Sequence, residues 1–184
     1  AQSWRPRCVV YVHLATHRVP AVSTVRLEAG QVVERRIDLY QPSSTVLEAV
    51  LRHELAHVWL SSVFADGPLP RWLDEGLAVL AEPPERFEAH LRTLWAREQA
   101  GVEIGLARLL EGDSVRDPAL AYAASASLCR FLLERYGRAR LLAFARMCRR
   151  RGPQAAVRTV LGLRDLTELE ALWRAARRQH YATL

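Results

Sequence analysis

Val50-Leu51-Arg52-His53-Glu54-Leu55-Ala56-His57-Val58-Trp59 sets two histidines four residues apart, with a glutamate directly after the first. On a helix, positions i and i+4 lie one above the other on the same face. His53 and His57 can therefore offer two imidazoles to one ion without a loop folding around it. Glu54 lies about 100° round the helix from His53, following the 3.6-residue turn. From there its carboxylate reaches the open position beside the ion and can take a proton from a water held there. Zinc lowers the pKa of such a water to about 7, so a nearby carboxylate suffices as the base. By composition, a shuffled chain carries this five-residue pattern on the order of 1–2 % of the time. The chain also holds a comparison of its own. His13 and His17 share the four-residue spacing, but Leu14 stands at the glutamate position and the segment reads as strand and loop. No site is assigned there.

Outward from the motif, Ser43 or Ser44 can cap a helix that runs through Val46, Val50, His53, His57 and Leu60. Ala65-Asp66-Gly67-Pro68 stops it. A second, shorter helix is expected from about Pro70 to just before Pro83-Pro84. A catalytic zinc commonly takes three protein ligands and keeps a fourth position open. The stretch Pro70-Arg71-Trp72-Leu73-Asp74-Glu75-Gly76-Leu77-Ala78 offers two carboxylates for the third place, Asp74 and Glu75. Spacing permits Glu75, and the small Gly76 and Ala78 suit a close approach of this helix to the first. One zinc ion per chain is the expected cofactor, although iron and manganese use similar ligands.

His-Glu-x-x-His followed by Trp-Leu-x-Glu-Gly-x-Ala resembles the gluzincin clan of metallopeptidases, notably its peptidase MA-like families. The resemblance covers about residues 32 to 137. It implies that Glu75 is the third ligand beside His53 and His57, that Glu54 is the general base, and that the reaction is hydrolysis of peptide bonds. Ala121-Tyr122-Ala123-Ala124-Ser125-Ala126-Ser127 resembles the helix that follows the zinc site in such enzymes. Tyr122 is the implied second donor to the oxyanion, with packing or capping of its own helix as the plain alternative. His90 is the runner-up donor, and His180, near the chain end, is assigned nothing. By the same resemblance Val32 to Tyr40 is the edge strand that would pair with a substrate backbone. Trp59 and Trp72 read as core. The related aminopeptidases space the third ligand one residue further on. They also hold a free N-terminus with a Gly-x-Met-Glu-Asn stretch that these residues lack, which favours an endopeptidase.

The wider chain fits an α+β, zincin-like catalytic domain over residues 1–184. Its first part, to residue 66, is a small sheet plus the metal-binding helix. The remainder, 67–184, is a helical lobe carrying the third ligand. Cys8 to Leu14, Val22 to Glu28 and Val32 to Tyr40 read as strands, the last two as a hairpin about Ala29-Gly30-Gln31, and Pro42 ends the β region. Helical patterns follow over Glu85–Gln99, Leu106–Glu111, Pro118–Tyr136, Arg138–Arg150, Pro153–Leu161 and Thr167–Gln179, with Gly137, Gly152 and Gly162 at their joints.

The net charge is +6, and all 26 basic residues are arginine. Interleaved glutamates make the arginine-rich stretches near the C-terminal end, Arg149 to Arg151 and Arg177-Arg178, solvated helix faces, and no nucleic acid is expected as a partner. Zinc peptidases associated with nucleic acid use a third histidine, where Glu75 fits this chain. Cys129 and Cys148 read as buried fillers, with a bridge between them left open. No apolar run is long enough to span a membrane. The expected partner is a peptide or protein substrate. The resemblance leans toward an exported or envelope protein of a bacterium. The competing readings are a catalytically silent metal-binding or recognition module of the same fold and a nucleic-acid-associated zinc peptidase.

Overall fold

A computed structural model describes residues 6–14, 17–40, 44–112 and 117–182. Among the described residues three strands and seven α-helices follow one another, with a π-helical turn over Val157–Leu161 after α6, so the fold is α+β as expected: β1 (Cys8–His13), β2 (Ala21–Glu28), β3 (Gln31–Tyr40), α1 (Ser44–Val63), α2 (Arg71–Ala81), α3 (Pro84–Gln99), α4 (Leu106–Glu111), α5 (Pro118–Arg151), α6 (Pro153–Ala156) and α7 (Leu166–Tyr181). The described chain forms two compact units. The first comprises Ala1–Leu69 with Ala78–Pro83, and the second Pro70–Leu77 with Pro84–Leu184.

In the first unit the sheet order is β1-β3-β2, with β1 parallel and β2 antiparallel to β3. The hairpin forms as expected, Glu28 pairing with Gln31. Ala29 (φ 49°) and Gly30 (φ 76°) both take left-handed conformations between the strands. A two-residue loop of this kind needs positive φ at both positions to match the strand twist. Glycine meets that need without strain; alanine does not.

The expectation for β3 needs correcting. The strand read as an edge is the middle one, because Cys8 to His13 lies along it in register from Cys8 opposite Arg35 to His13 opposite Tyr40. A β-branched, apolar segment such as β1 needs a partner for its backbone groups, and β3 supplies it. Among the described residues only β1 and β2 keep an unpaired edge.

Alternation along β3 sends Arg35, Ile37 and Leu39 to one face, and α1 packs on that face. Ile37, Leu39 and Val58 are buried there with Ala21, flanked by Leu47, Val50, Leu51 and Leu55. Burial of each large aliphatic side chain contributes roughly 1.5–3 kcal/mol. Arg35 is tied across to α1 by Nη2 on Ser62 Oγ at 3.0 Å. The opposite face carries a polar and aromatic row. His13 Nε2 meets Asp38 Oδ1 at 2.7 Å, Arg36 pairs with Asp38, and Tyr40 stacks against His13 and His17 at 4.8 and 4.4 Å between centroids. The second histidine pair is thus part of a stacked surface row, in keeping with its exclusion as a metal motif.

In the second unit α5 is the central helix, and α3, α4, α6 and α7 pack on it or on one another around Leu94, Leu106, Leu128, Leu132, Leu141, Phe144 and Trp173. Asp117 caps α5 by accepting from the Leu120 N–H at 3.2 Å, with Pro118 in the first turn. The break expected at Gly137 is present: its φ of 78° and ψ of 166° leave the helix before it resumes. The last predicted helix extends further than read, through Tyr181. His180 is therefore ordered on α7, edge-on to Phe87 at 6.4 Å.

Arg177 also departs from its expected place on a solvated face. It is 6 % exposed, pairs with Glu98 at 2.7 Å and lies 4.1 Å over the Trp173 ring. All three cysteines are free thiols. No helix among the described residues is long and apolar enough to cross a membrane. The cap expected at Ser43 or Ser44 and the stop at Pro42 lie outside the described residues and side chains, although α1 begins at Ser44.

Candidate metal centre

α1 carries His53, Glu54 and His57 on consecutive turns, as the one-turn spacing requires. The two imidazole rings lie 4.8 Å apart between centroids, nearly perpendicular. α1 ends just past Val63, where the Phe64 N–H closes the last turn on Leu60 and Gly67 (φ 156°) redirects the chain. α2 follows, its first bonds accepted by the Pro70 carbonyl, so proline stands just before the helix and not within its first turn.

His53, His57 and Glu75 each offer one ligand atom, and these atoms all lie within 4.8 Å of one another. Two imidazoles with one carboxylate form a donor set that suits zinc and leaves a coordination position open. Glu54 is 9 % exposed on α1. Asp74, the other carboxylate considered, is not part of the group.

One residue without a role in the sequence reading belongs to this centre. His53 Nδ1 lies 2.8 Å from Glu82 Oε1, and the Glu82 side chain is only 8 % exposed. A carboxylate at Nδ1 accepts the N–H there and leaves the Nε2 lone pair for an ion. Glu82 follows Glu75 by seven residues, close to two helical turns. That spacing, directly before Pro83-Pro84, was the available signal.

Gly76 answers a different contact from the one expected. A Cβ there would lie 2.6 Å from both the Ser125 carbonyl oxygen and Cys129 Sγ, so the missing side chain lets α2 sit against α5. Cys129 in turn lies 3.7 Å from the Trp72 carbonyl, a hydrogen-bond contact through its thiol. Burial pushes the Cys129 thiol well above its ordinary pKa, which fits the expected filler role. Trp72 is core as read, 2 % exposed and 5.9 Å from Phe144, while Trp59 is only half-buried. Tyr122 lines a cavity of the second unit together with Glu75, Arg71, Trp72 and Ser125. His90 lies half-buried on α3.

The family model of the peptidase MA superfamily matches residues 45–178. The chain belongs to the peptidase MA superfamily. The match bears out the resemblance carried by the two motifs, but its extent differs. It begins at α1, leaves the strands outside, and runs past Gly137 through most of α7. The helical tail is thus part of what defines this superfamily member. No curated protein and no solved structure matches the chain. Superfamily membership supports a metallopeptidase.

Proposed function

We propose that this member of the peptidase MA superfamily is a zinc-dependent metalloendopeptidase, with residues 1–184 acting as one catalytic domain. The observation that carries the reading is the grouping of His53, His57 and Glu75, a donor set suited to one zinc ion. The ion, when bound, supplies Lewis-acid polarisation and an acidified water.

The chain's own residues do the rest. Glu82 fixes the His53 ring and its tautomer through Nδ1. Glu54 accepts the proton of the attacking water and delivers it to the leaving amine. Tyr122 donates to the oxyanion as it forms; its place in a cavity lined also by Glu75 supports this role. The substrate is a peptide or protein, and the middle position of β3 leaves the edges of β1 or β2 to accept an extended backbone. An exported or envelope location belongs to the same reading and rests on the resemblance alone.

The test is metal content by mass spectrometry on protein purified without added zinc, joined to a peptide-library assay. About one zinc per chain and measurable cleavage are expected. Glu54→Gln should keep the metal and lose cleavage by a factor of at least about 100, within the range for loss of a general base. Glu75→Ala should lose the metal. A chain that holds zinc and cleaves nothing would favour the silent recognition module. Peptide hydrolysis by Glu54→Gln at the parent rate would falsify the assigned mechanism.

A further inference from the structure

The helical unit contains a cavity of about 90 Å³ lined by Arg71, Trp72, Glu75, Leu109, Gly112, Pro118, Ala121, Tyr122 and Ser125. A volume of that size holds several waters, enough for a small functional group on a short stem. Its lining is asymmetric in charge and hydrogen bonding. Leu109, Pro118, Ala121 and the Trp72 ring give apolar walls, and the polar groups are a guanidinium, two hydroxyls and the Glu75 carboxylate. The Arg71 guanidinium and the hydroxyls of Tyr122 and Ser125 have no partner among the described residues. Ser125 itself is 3 % exposed and lines the cavity beside them.

Backbone electrostatics point the same way. Arg71 and Trp72 open α2, and Pro118, Ala121 and Tyr122 stand in the first turns of α5. The N-terminal ends of two helices, each carrying roughly half a positive charge, are thus represented in the lining. The opposing contribution comes from the end of the six-residue α4. Other acids nearby are already engaged: Asp117 caps α5 and pairs with Arg97 at 2.9 Å. Among the described lining residues Glu75 is the one anion, and in the function proposed above its charge is taken up by the ion.

We propose that this cavity is a subsite for a carboxylate of the substrate, either an acidic side chain near the scissile bond or the C-terminal carboxylate of the peptide. Arg71 forms the charge-assisted pair, which its planar fork can make bidentate. Ser125 donates a further hydrogen bond, while the single Tyr122 O–H is kept for the oxyanion. This assignment rests on Glu75 being a metal ligand, because that places the cavity beside the reacting bond.

The test uses the zinc-loaded Glu54→Gln protein, in which peptides should stay intact, and calorimetric titration with two matched pairs. One pair is a C-terminally amidated hexapeptide carrying Glu or Gln at its centre. The other is a neutral hexapeptide ending in a free acid or an amide. The acid member of one pair should bind about 10- to 100-fold more tightly, the range expected for a hydrogen-bonded charge, and that pair identifies the source of the carboxylate. Arg71→Gln in the same background should bring the ratio below about threefold with zinc content unchanged.

Equal binding within both pairs, binding of neither pair, or an acid preference that survives Arg71→Gln would each overturn the subsite. The failures are distinguishable. A parent enzyme that cleaves peptides while the titrations show no acid preference loses the subsite alone. A parent that cleaves nothing, with an Arg71-dependent acid preference intact, loses the proposed activity alone.

Discussion

Glu82 is one side chain whose contribution can be isolated. It touches His53 at Nδ1, so it acts through the ligand and not on a substrate. Partners of this kind raise the basicity of a ligating imidazole and hold its ring, and their loss typically costs 10- to 100-fold in metal affinity. Glu82→Ala is therefore expected to raise the zinc dissociation constant by about 10- to 100-fold in competition with a chromogenic chelator. Glu82→Gln, whose amide oxygen can still accept from Nδ1, should fall between that variant and the parent. Unchanged affinity in Glu82→Ala would leave Glu82 as packing only. His53, Glu54, His57 and Glu75 were legible because a helix converts fixed spacing into shared orientation. Glu82 was harder to read, since its partner lies 29 residues earlier in the chain. One carboxylate among twenty carries no mark of what it folds against.

At the scale of elements, α2 shows how one missing side chain fixes a helix. A methyl on Gly76 would lie 2.6 Å from the Ser125 carbonyl oxygen, and a backbone atom in the middle of α5 cannot rotate away. Helix propensity favours alanine over glycine by about 1 kcal/mol. Overpacking costs about 1–3 kcal/mol and should prevail. Gly76→Ala is expected to lower the urea midpoint by a net of about 1–2 kcal/mol at unchanged slope. A stabilised variant would mean α2 can shift off α5 freely.

The sequence located α1 to α5 and the three strands to within a residue or two, because caps, proline pairs and glycine joints are local chemistry. It misplaced β3 at an edge. Which strand lies in the middle depends on where β1 pairs, and nothing within Val32 to Tyr40 encodes a neighbour on its second side. Gly76 was read as small for the sake of α1, although its neighbours are Ser125 and Cys129. Smallness announces a close approach without naming the partner.

For the whole molecule, the two compact units are expected to respond differently to acid. In the sheet unit, hydrogen bonds from Arg36, and then from His13, hold the Asp38 carboxyl down to about 2. A carboxylate with a depressed folded pKa contributes stability that is complete above its unfolded value of about 3.9. That contribution is lost as pH falls through the folded value. The expected loss lies between about pH 4 and pH 2, with stability falling as the solution becomes more acidic. In the helical unit the Glu168 carboxyl is also lowered, by the backbone and side chain of Arg164, but the pair lies at the surface with Arg164 exposed, and solvent screens it. Amide exchange followed by mass spectrometry from pH 5 to pH 2, corrected for the intrinsic rate, should therefore lose protection in β1 and β3 before α5 and α7. Asp38→Asn should flatten the response of the strands and leave that of the helices. Simultaneous loss in all four elements would place the acid-sensitive group elsewhere.

The free thiols set conditions of their own. Cys8 is half-buried against the face of the sheet that α1 covers, and Cys129 is sealed between α2 and α5. Neither unit asks for an oxidant to reach its fold, so the chain can mature where glutathione keeps sulfur reduced and equally where it does not. Cys129, with no exposed surface, becomes nucleophilic only when its packing parts. The rate at which an alkylating reagent reaches that sulfur therefore times the parting of α2 from α5, with no label added to the protein.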